Sequence, residues 1–225
     1  MSLLVRVGVA DNGINPKDPQ VGTVEGGVGI RLLEDRLECD DSWQDLLGHG
    51  TAVAATIRGH APSAALYSIR VFRRRLEAPV EALLHAIEWA AKERLELLNL
   101  SLGCTSLERK HDFIEACARA ADAGVVIVSA AEAWGTPSLP GALEGVVPVR
   151  ADYDLDGDEI REVGGVFEAA PWARKRGVLP REKNFHGTSF AVANVTGVVA
   201  RLLADNDGLA AVSVMHELSR WASSR

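Results

Sequence analysis

Short runs rich in Val, Leu and Ile alternate with helical stretches along most of this chain, and that alternation leaves few folds open. Leu3 to Ala10, Ala64 to Phe72, Leu97 to Leu102 and Gly124 to Ala130 read as buried strands. Between them, His49 to Arg58 carries small apolar residues suited to a tightly packed helix that Gly59 and Pro62 end. Val80, Leu83, Leu84, Ile87 and Ala91 recur at three and four, which marks an amphipathic helix closing near Arg94. Leu107 to Ala123 reads as another helix. Apolar strands separated by helices form a mostly parallel β-sheet with helices on both faces, so the expected class is a doubly wound α/β fold.

The remaining segments fill out that picture. Asn12 to about Leu47 is loop with one strand, Val28 to Leu33. Gly145 to Val149 and Arg161 to Val166 read as further strands joined by the acidic turn Asp152 to Glu159. Ser189 to Leu203 is a buried helix and Leu209 to Trp221 a closing amphipathic one. No repeat, low-complexity tract or linker interrupts the 225 residues, which predicts a single domain over 1–225.

Charge and composition exclude several functions. The formal charge of −7 argues against a nucleic-acid partner or an anionic membrane surface, both of which need basic faces. No apolar run reaches the length of a membrane span, and the N-terminus lacks the pattern of a signal peptide. Cys39, Cys104 and Cys117 are odd in number and scattered, which fits reduced thiols and a cytoplasmic location better than a disulfide scaffold.

Three short words carry chemistry, in fixed order: Val-Ala-Asp-Asn-Gly ending at Gly13, Gly-His-Gly-Thr around His49, and Gly-Thr-Ser-Phe-Ala around Ser189. A serine hydroxyl attacks a carbonyl only when a histidine takes its proton and a carboxylate holds that histidine in the right tautomer. Asp11, His49 and Ser189 supply those groups, each where a strand gives way to a loop or helix. Taken singly each has a bland reading, as a cap, a structural histidine or a common serine. Their flanks change the odds. Gly48 and Gly50 let backbone pass close to His49, and Gly187 sets Ser189 at a helix N-terminus, where the dipole favours developing negative charge.

With these words in place the chain resembles the subtilisin-like serine peptidases, the subtilase family, from Val5 to about Leu203. The stretch Gly48 to Thr56 with Ala61 to Phe72 is similar to the family's histidine helix and following strand. Asn99 to Gly103 resembles the strand whose edge pairs with extended substrate, and Gly187 to Ala191 the nucleophile motif. The order Asp, His, Ser is that of subtilisin. The resemblance implies a serine endopeptidase acting on peptides or proteins; no cofactor is expected, and the departures below lead to no expected metal. Ser189 would be the nucleophile, His49 the base and then the acid, and Asp11 the orienting carboxylate. The Ser189 amide would be one oxyanion donor. Ser101, Leu102 and Gly103 would pair with the substrate backbone, and Ala130, Ala131, Trp134 and Gly135 would form the opposite wall. Trp134 is placed to fill part of the P1 pocket, which predicts a small P1 residue.

Departures from the family pattern are as informative. Where the family carries an oxyanion-donating Asn, ungapped alignment places Ala133, and no Asn occurs between Gly124 and Arg150. A shift of one residue offers Glu132 instead, a donor only when protonated. In subtilisin itself the loss of that donor costs about 100- to 1000-fold in turnover and leaves the triad working. The family's frequent calcium loop is excluded between the histidine helix and the next strand, where only Arg58 to Ala61 separates Ile57 from Pro62. Asp152 to Val163 starts like an EF-hand but has Val163 where the bidentate Glu belongs, so it reads as a solvated hairpin turn. Asp11 lies too near Met1 for a preceding propeptide within this sequence. The basic run 171–183 reads as a solvated loop that could meet an acidic substrate, and His60, His186 and Asn194 read as packing or capping residues. Two rivals remain: a peptide-binding pseudoenzyme of this fold, and a peptide ligase or macrocyclase, for which no insertion offers a water-excluding cover.

Overall fold

The computed structural model describes residues 4–34, 36–72, 78–174, 183–206 and 208–223. Its strands are β1 (Arg6–Asp11), β2 (Val24–Leu33), β3 (Arg36–Asp40), β4 (Ala65–Arg70), β5 (Leu97–Leu100), β6 (Val126–Ala130), β7 (Glu132–Ala133), β8 (Thr136–Pro137), β9 (Val147–Ala151), β10 (Ile160–Val163) and β11 (Val166–Ala169). The helices are α1 (His49–His60), α2 (Val80–Lys92), α3 (Lys110–Asp122), α4 (Thr188–Asp205) and α5 (Val214–Ser223). Among the described residues nine strands form one sheet in the order β10-β11-β9-β6-β5-β1-β4-β2-β3, with β7 and β8 as a separate small ribbon. All pairings from β2 to β11 are parallel, and only the outermost strands, β3 and β10, run antiparallel to their neighbours. This is the doubly wound α/β architecture.

Each face of the sheet has its own apolar layer. Val7, Val9, Leu66, Val128 and Val149 pack beneath α1, α4 and α5. Ala10, Ile69, Leu98, Leu100 and Ile127 pack against α2 and α3. Strands buried on both faces cannot alternate apolar with polar, which is why they read as continuous Val and Leu runs. Helix α4, apolar for most of its length, crosses beside α1. His60 donates from Nε2 to the Asn194 side-chain oxygen at 2.8 Å, and Asn194 donates to the Ala170 carbonyl at 2.7 Å, so both are packing ties.

Several expected elements differ from those observed. Strand β3 lies inside the stretch read as loop: it is an exposed edge strand, so no buried alternation announces it. The strand expected over Arg161 to Val166 is two strands, β10 and β11, folded back on each other at Gly164 and Gly165, whose φ values are 61° and 80°. Left-handed backbone at two successive residues is the primed turn that glycine accommodates without strain. The acidic stretch Asp152 to Glu159 is therefore not a hairpin turn. It leaves β9, passes β11 and enters β10, and Asp152 pairs with Arg161 at 2.9 Å. A 3-10 turn at Leu107–Arg109 precedes α3, and another at Ala211–Ser213 precedes α5, shortening both expected helices.

Candidate active site

Strand β1 lies between β4 and β5 and delivers Asp11, its last residue, to the carboxyl edge of the sheet. Open parallel sheets gather ligands at this edge. The Asp11 side chain is buried and takes three hydrogen bonds. The Asn12 amide donates to Oδ1 at 2.8 Å, and His49 Nδ1 lies 2.9 Å from Oδ1 and 3.0 Å from Oδ2. His49 opens α1, the first residue after the Gly48 cap. Its approach to Asp11 depends on Gly50: a side chain there would overlap the Gly13 carbonyl and come within 2.8 Å of Asn12 Oδ1 and 3.0 Å of Asp11 Cβ. In place of a side chain, the Gly50 amide donates to Asn12 Oδ1 at 2.7 Å. Gly50 is thus a demand of close backbone approach, whereas Gly48 answers to its left-handed φ of 88°.

Burial opposes a charged imidazole at His49, while the hydrogen bond and charge of Asp11, and after them the charge of Asp45, favour it. The balance raises the His49 pKa above its ordinary value. The ring of His49 leans against Phe190, with centroids 5.3 Å apart, and meets Phe185 edge-on at 6.1 Å. Phe190 follows Ser189 directly, so α4 brings its N-terminal turn to the histidine. Ser189, second residue of α4, has an amide without an intrahelical acceptor.

The Ser189 hydroxyl donates to the Ser101 carbonyl at 3.4 Å, and the Ser101 hydroxyl donates to Asn99 Oδ1 at 2.8 Å. Asn99 in turn donates to Thr196 Oγ1 at 2.9 Å, and Thr196 donates to the Val192 carbonyl at 2.7 Å. The end of β5 is thereby tied to the first turns of α4. Beyond Ser101, Leu102 is half-buried and Gly103 exposed, with Gly103 backbone seated against Ser138 and Leu139. Cys104 and Leu139 exchange two backbone hydrogen bonds of 2.8 Å, joining the segment after β5 to that after β8.

The opposite wall departs from expectation. Ala130 ends β6, and Ala131 donates to Val149 at 2.8 Å and accepts from Ser138 at 2.9 Å, so its backbone is committed internally. Glu132 and Ala133 then form β7, which turns at Trp134 and Gly135 into β8. Their φ values of 52° and 77° make a tight hairpin, and Trp134 stands at its tip, 99% exposed. Trp134 and Gly135 therefore do not fill a pocket: a residue on a two-residue hairpin tip projects from the protein. Glu132 is one of the charges felt at Arg150, and Ala133 takes the other face of the short strand.

Sequence reasoning missed two residues here, Asn12 and Asp45. Asp45 accepts from the amides of Leu47 at 2.7 Å, Gly48 at 2.8 Å and Thr51 at 3.0 Å, and from the Thr51 hydroxyl. An Asp placed just ahead of a helix start was the available signal. His186 pairs with Trp172 in a lone backbone bridge, and their rings are 5.4 Å apart. The basic run 171–183 falls largely outside the described residues. All three cysteines are free, and burial pushes the Cys117 thiol up to about 12. Among the described residues no group of three or more His, Cys, Asp or Glu side chains is arranged to hold a metal, and no helix is long and apolar enough to cross a membrane.

Comparison with known proteins identifies the family. A thermostable alkaline protease of Halalkalibacterium halodurans is 32% identical over 87% of this chain and 55% of its own length. Subtilisin DY of Bacillus licheniformis is 29% identical over 97% of this chain and 84% of its own. The crystal structure of a cold adapted subtilisin-like serine proteinase superposes with a TM-score of 0.75 at 24% identity, covering 96% of this chain and 81% of that one. The chain thus spans about half the length of the first relative and most of the second. The family model described as "Subtilase family" matches residues 4–132, a stretch that holds Asp11, His49 and the wall up to Glu132, and the chain belongs to that family.

Proposed function

We propose that this chain is a serine endopeptidase that cuts peptide or protein substrates through Asp11, His49 and Ser189, working as one catalytic domain. The observation that carries the reading is the Asp11–His49 pair. With both carboxylate oxygens at 2.9 and 3.0 Å, Nδ1 carries the proton and Nε2 is left as the acceptor. Asp11 fixes that tautomer and stabilises the imidazolium that forms when His49 takes the Ser189 proton. The Ser189 hydroxyl, resting at 3.4 Å from the Ser101 carbonyl, turns to His49 when substrate arrives; catalytic hydrogen bonds are often loose before that. Attack on the scissile carbonyl gives a tetrahedral intermediate. His49 then protonates the leaving amine, and water, activated by the same histidine, releases the acyl group.

The oxyanion falls near the Ser189 amide at the positive end of α4. Ala133, at the position of the family's donating Asn, offers no side-chain donor, so turnover is slow for the family. Ser101 to Gly103 at the open end of β5 would take an extended substrate as an added strand. A fluorophosphonate probe tests the reading: it should label the wild type and fail on Ser189→Ala. The missing donor favours one second reading, a peptide-binding member of the fold without turnover, which the same probe would reveal by leaving Ser189 unlabelled while peptides still bind.

A further inference from the structure

The turn that carries His49 is held from outside its own helix. Gly48, the N-cap of α1, has no side chain to offer, and its φ of 88° turns the chain sharply into the helix. The amides of the first helical turn must therefore find acceptors elsewhere. Asn12 takes the amide of Gly50. Asp45 takes the amides of Leu47 and Gly48 on Oδ1, and the amide and hydroxyl of Thr51 on Oδ2. A carboxylate that receives four hydrogen bonds at a helix N-terminus is fixed in place: it caps the helix and faces the positive end of its dipole.

Three residues lie between Asp45 and His49, so the carboxylate sits in the short loop that leads into the helix of the base. From β1 the base meets Asp11, the loop before α1 brings the charge of Asp45, and from α4 and the segment before it come the uncharged Phe190, Phe185 and Ser189. Among the described residues, the charges felt at His49 are those of Asp11 and Asp45. Asp11 touches the ring and Asp45 does not.

We propose that Asp45 is a second positioning carboxylate for the base: it holds the His49 turn in register with Asp11 and, by its charge, favours the imidazolium that forms during proton transfer. The proposal rests on His49 acting as the base, but its test does not. The NMR titration of His49, identified by the signal lost in His49→Ala, reports the ionisation of the ring whether or not the protein cuts peptides.

Asp45→Asn should lower the His49 titration midpoint relative to wild type. Asp45→Ser, also neutral and also a good cap, should do the same and answers the question if Asn at this place prevents folding. Thr51→Val removes the hydroxyl that donates to Asp45 Oδ2 and accepts from the Asn15 amide while keeping the Asp45 charge, so it should leave the midpoint where it is. In a peptidase assay the acid limb of kcat/KM should move to lower pH in Asp45→Asn and Asp45→Ser and stay in place in Thr51→Val. A midpoint unmoved in a folded Asp45 variant overturns the proposal, because a cap without electrical influence would behave that way. An inactive wild type whose His49 midpoint still falls in Asp45→Asn would instead overturn the peptidase reading and leave the role of Asp45 standing.

Discussion

His49 Nδ1 sits between the two carboxylate oxygens of Asp11, 2.9 Å from one and 3.0 Å from the other. One residue ends the inner strand β1 and the other begins helix α1. The pair therefore depends on both the register of β1 and the cap of α1, and not on the side chains alone.

Asp11→Asn should leave the fold intact and lower kcat by about 10⁴-fold, because an amide can hold the ring in the wrong tautomer. Thermal melting beside steady-state hydrolysis checks it. A loss of activity matched by a loss of folded protein would mean that Asp11 serves structure first.

The pH dependence has a definite sign. The His49 pKa is raised by Asp11 and Asp45 over the opposing effect of burial. A general base works in its neutral form, so the acid limb of kcat/KM should fall above the ordinary imidazole value of about 6.5. Stability follows the opposite course. A raised folded-state pKa gives a contribution that is complete below the unfolded value and disappears as pH rises through the folded one. Denaturant unfolding of wild type and His49→Ala across that window measures the contribution directly, and a difference that grows with pH would contradict it.

Gly50→Ala should destabilise the protein by about 1–3 kcal/mol, although alanine is the better helix former. The added methyl would meet the Gly13 carbonyl, Asn12 Oδ1 and Asp11 Cβ together, and backbone cannot give way as a flexible side chain can. A variant as stable as wild type, with unchanged probe labelling, would show that the turn has more room than the geometry allows.

The doubly wound sheet was legible because its interior strands are apolar on both faces and its helices carry small or amphipathic patterns. The pairing of Asp11 with His49 was legible because glycine flanks and strand ends accompany them, and the same flanks single out Ser189 as a candidate. Strand β3 was not, since an exposed edge strand with Arg36, Glu38 and Asp40 has no buried face to pattern. The reversal at Gly164 and Gly165 was hidden because apolar residues lie on both sides of it. Trp134 misled for a physical reason: a large aromatic suggests burial, but the chain places it at a hairpin tip with φ of 52°. Asp45 escaped because its importance lies in which amides it reaches, and that is a property of the loop's shape.

Trp134→Gly should therefore change stability by less than about 0.5 kcal/mol at the side chain, with any gain coming from relief of the left-handed backbone. KM for short peptides should not move. A clear rise in KM would return Trp134 to the substrate path.

Ala133→Asn tests the oxyanion site. Ala133 is half-buried in the short strand β7, and its neighbour Trp134 projects into solvent. Restoring one donor should raise kcat by about 100- to 1000-fold at most, equivalent to about 2.7–4 kcal/mol, the range known for removing this donor from subtilisin. The gain should appear in kcat and hardly in KM, because the donor acts on charge that develops only in the transition state. Ser189→Ala in the same background must abolish it. If Ala133→Asn leaves a slow enzyme slow, the donor must come from elsewhere on the wall, and Glu132 is the neighbour to change next. A wild type that already turns over at ordinary rates for the family would lead to the same residue. A rise in kcat confined to Ala133→Asn would establish that this chain keeps the family's nucleophile and base while lacking its side-chain oxyanion donor.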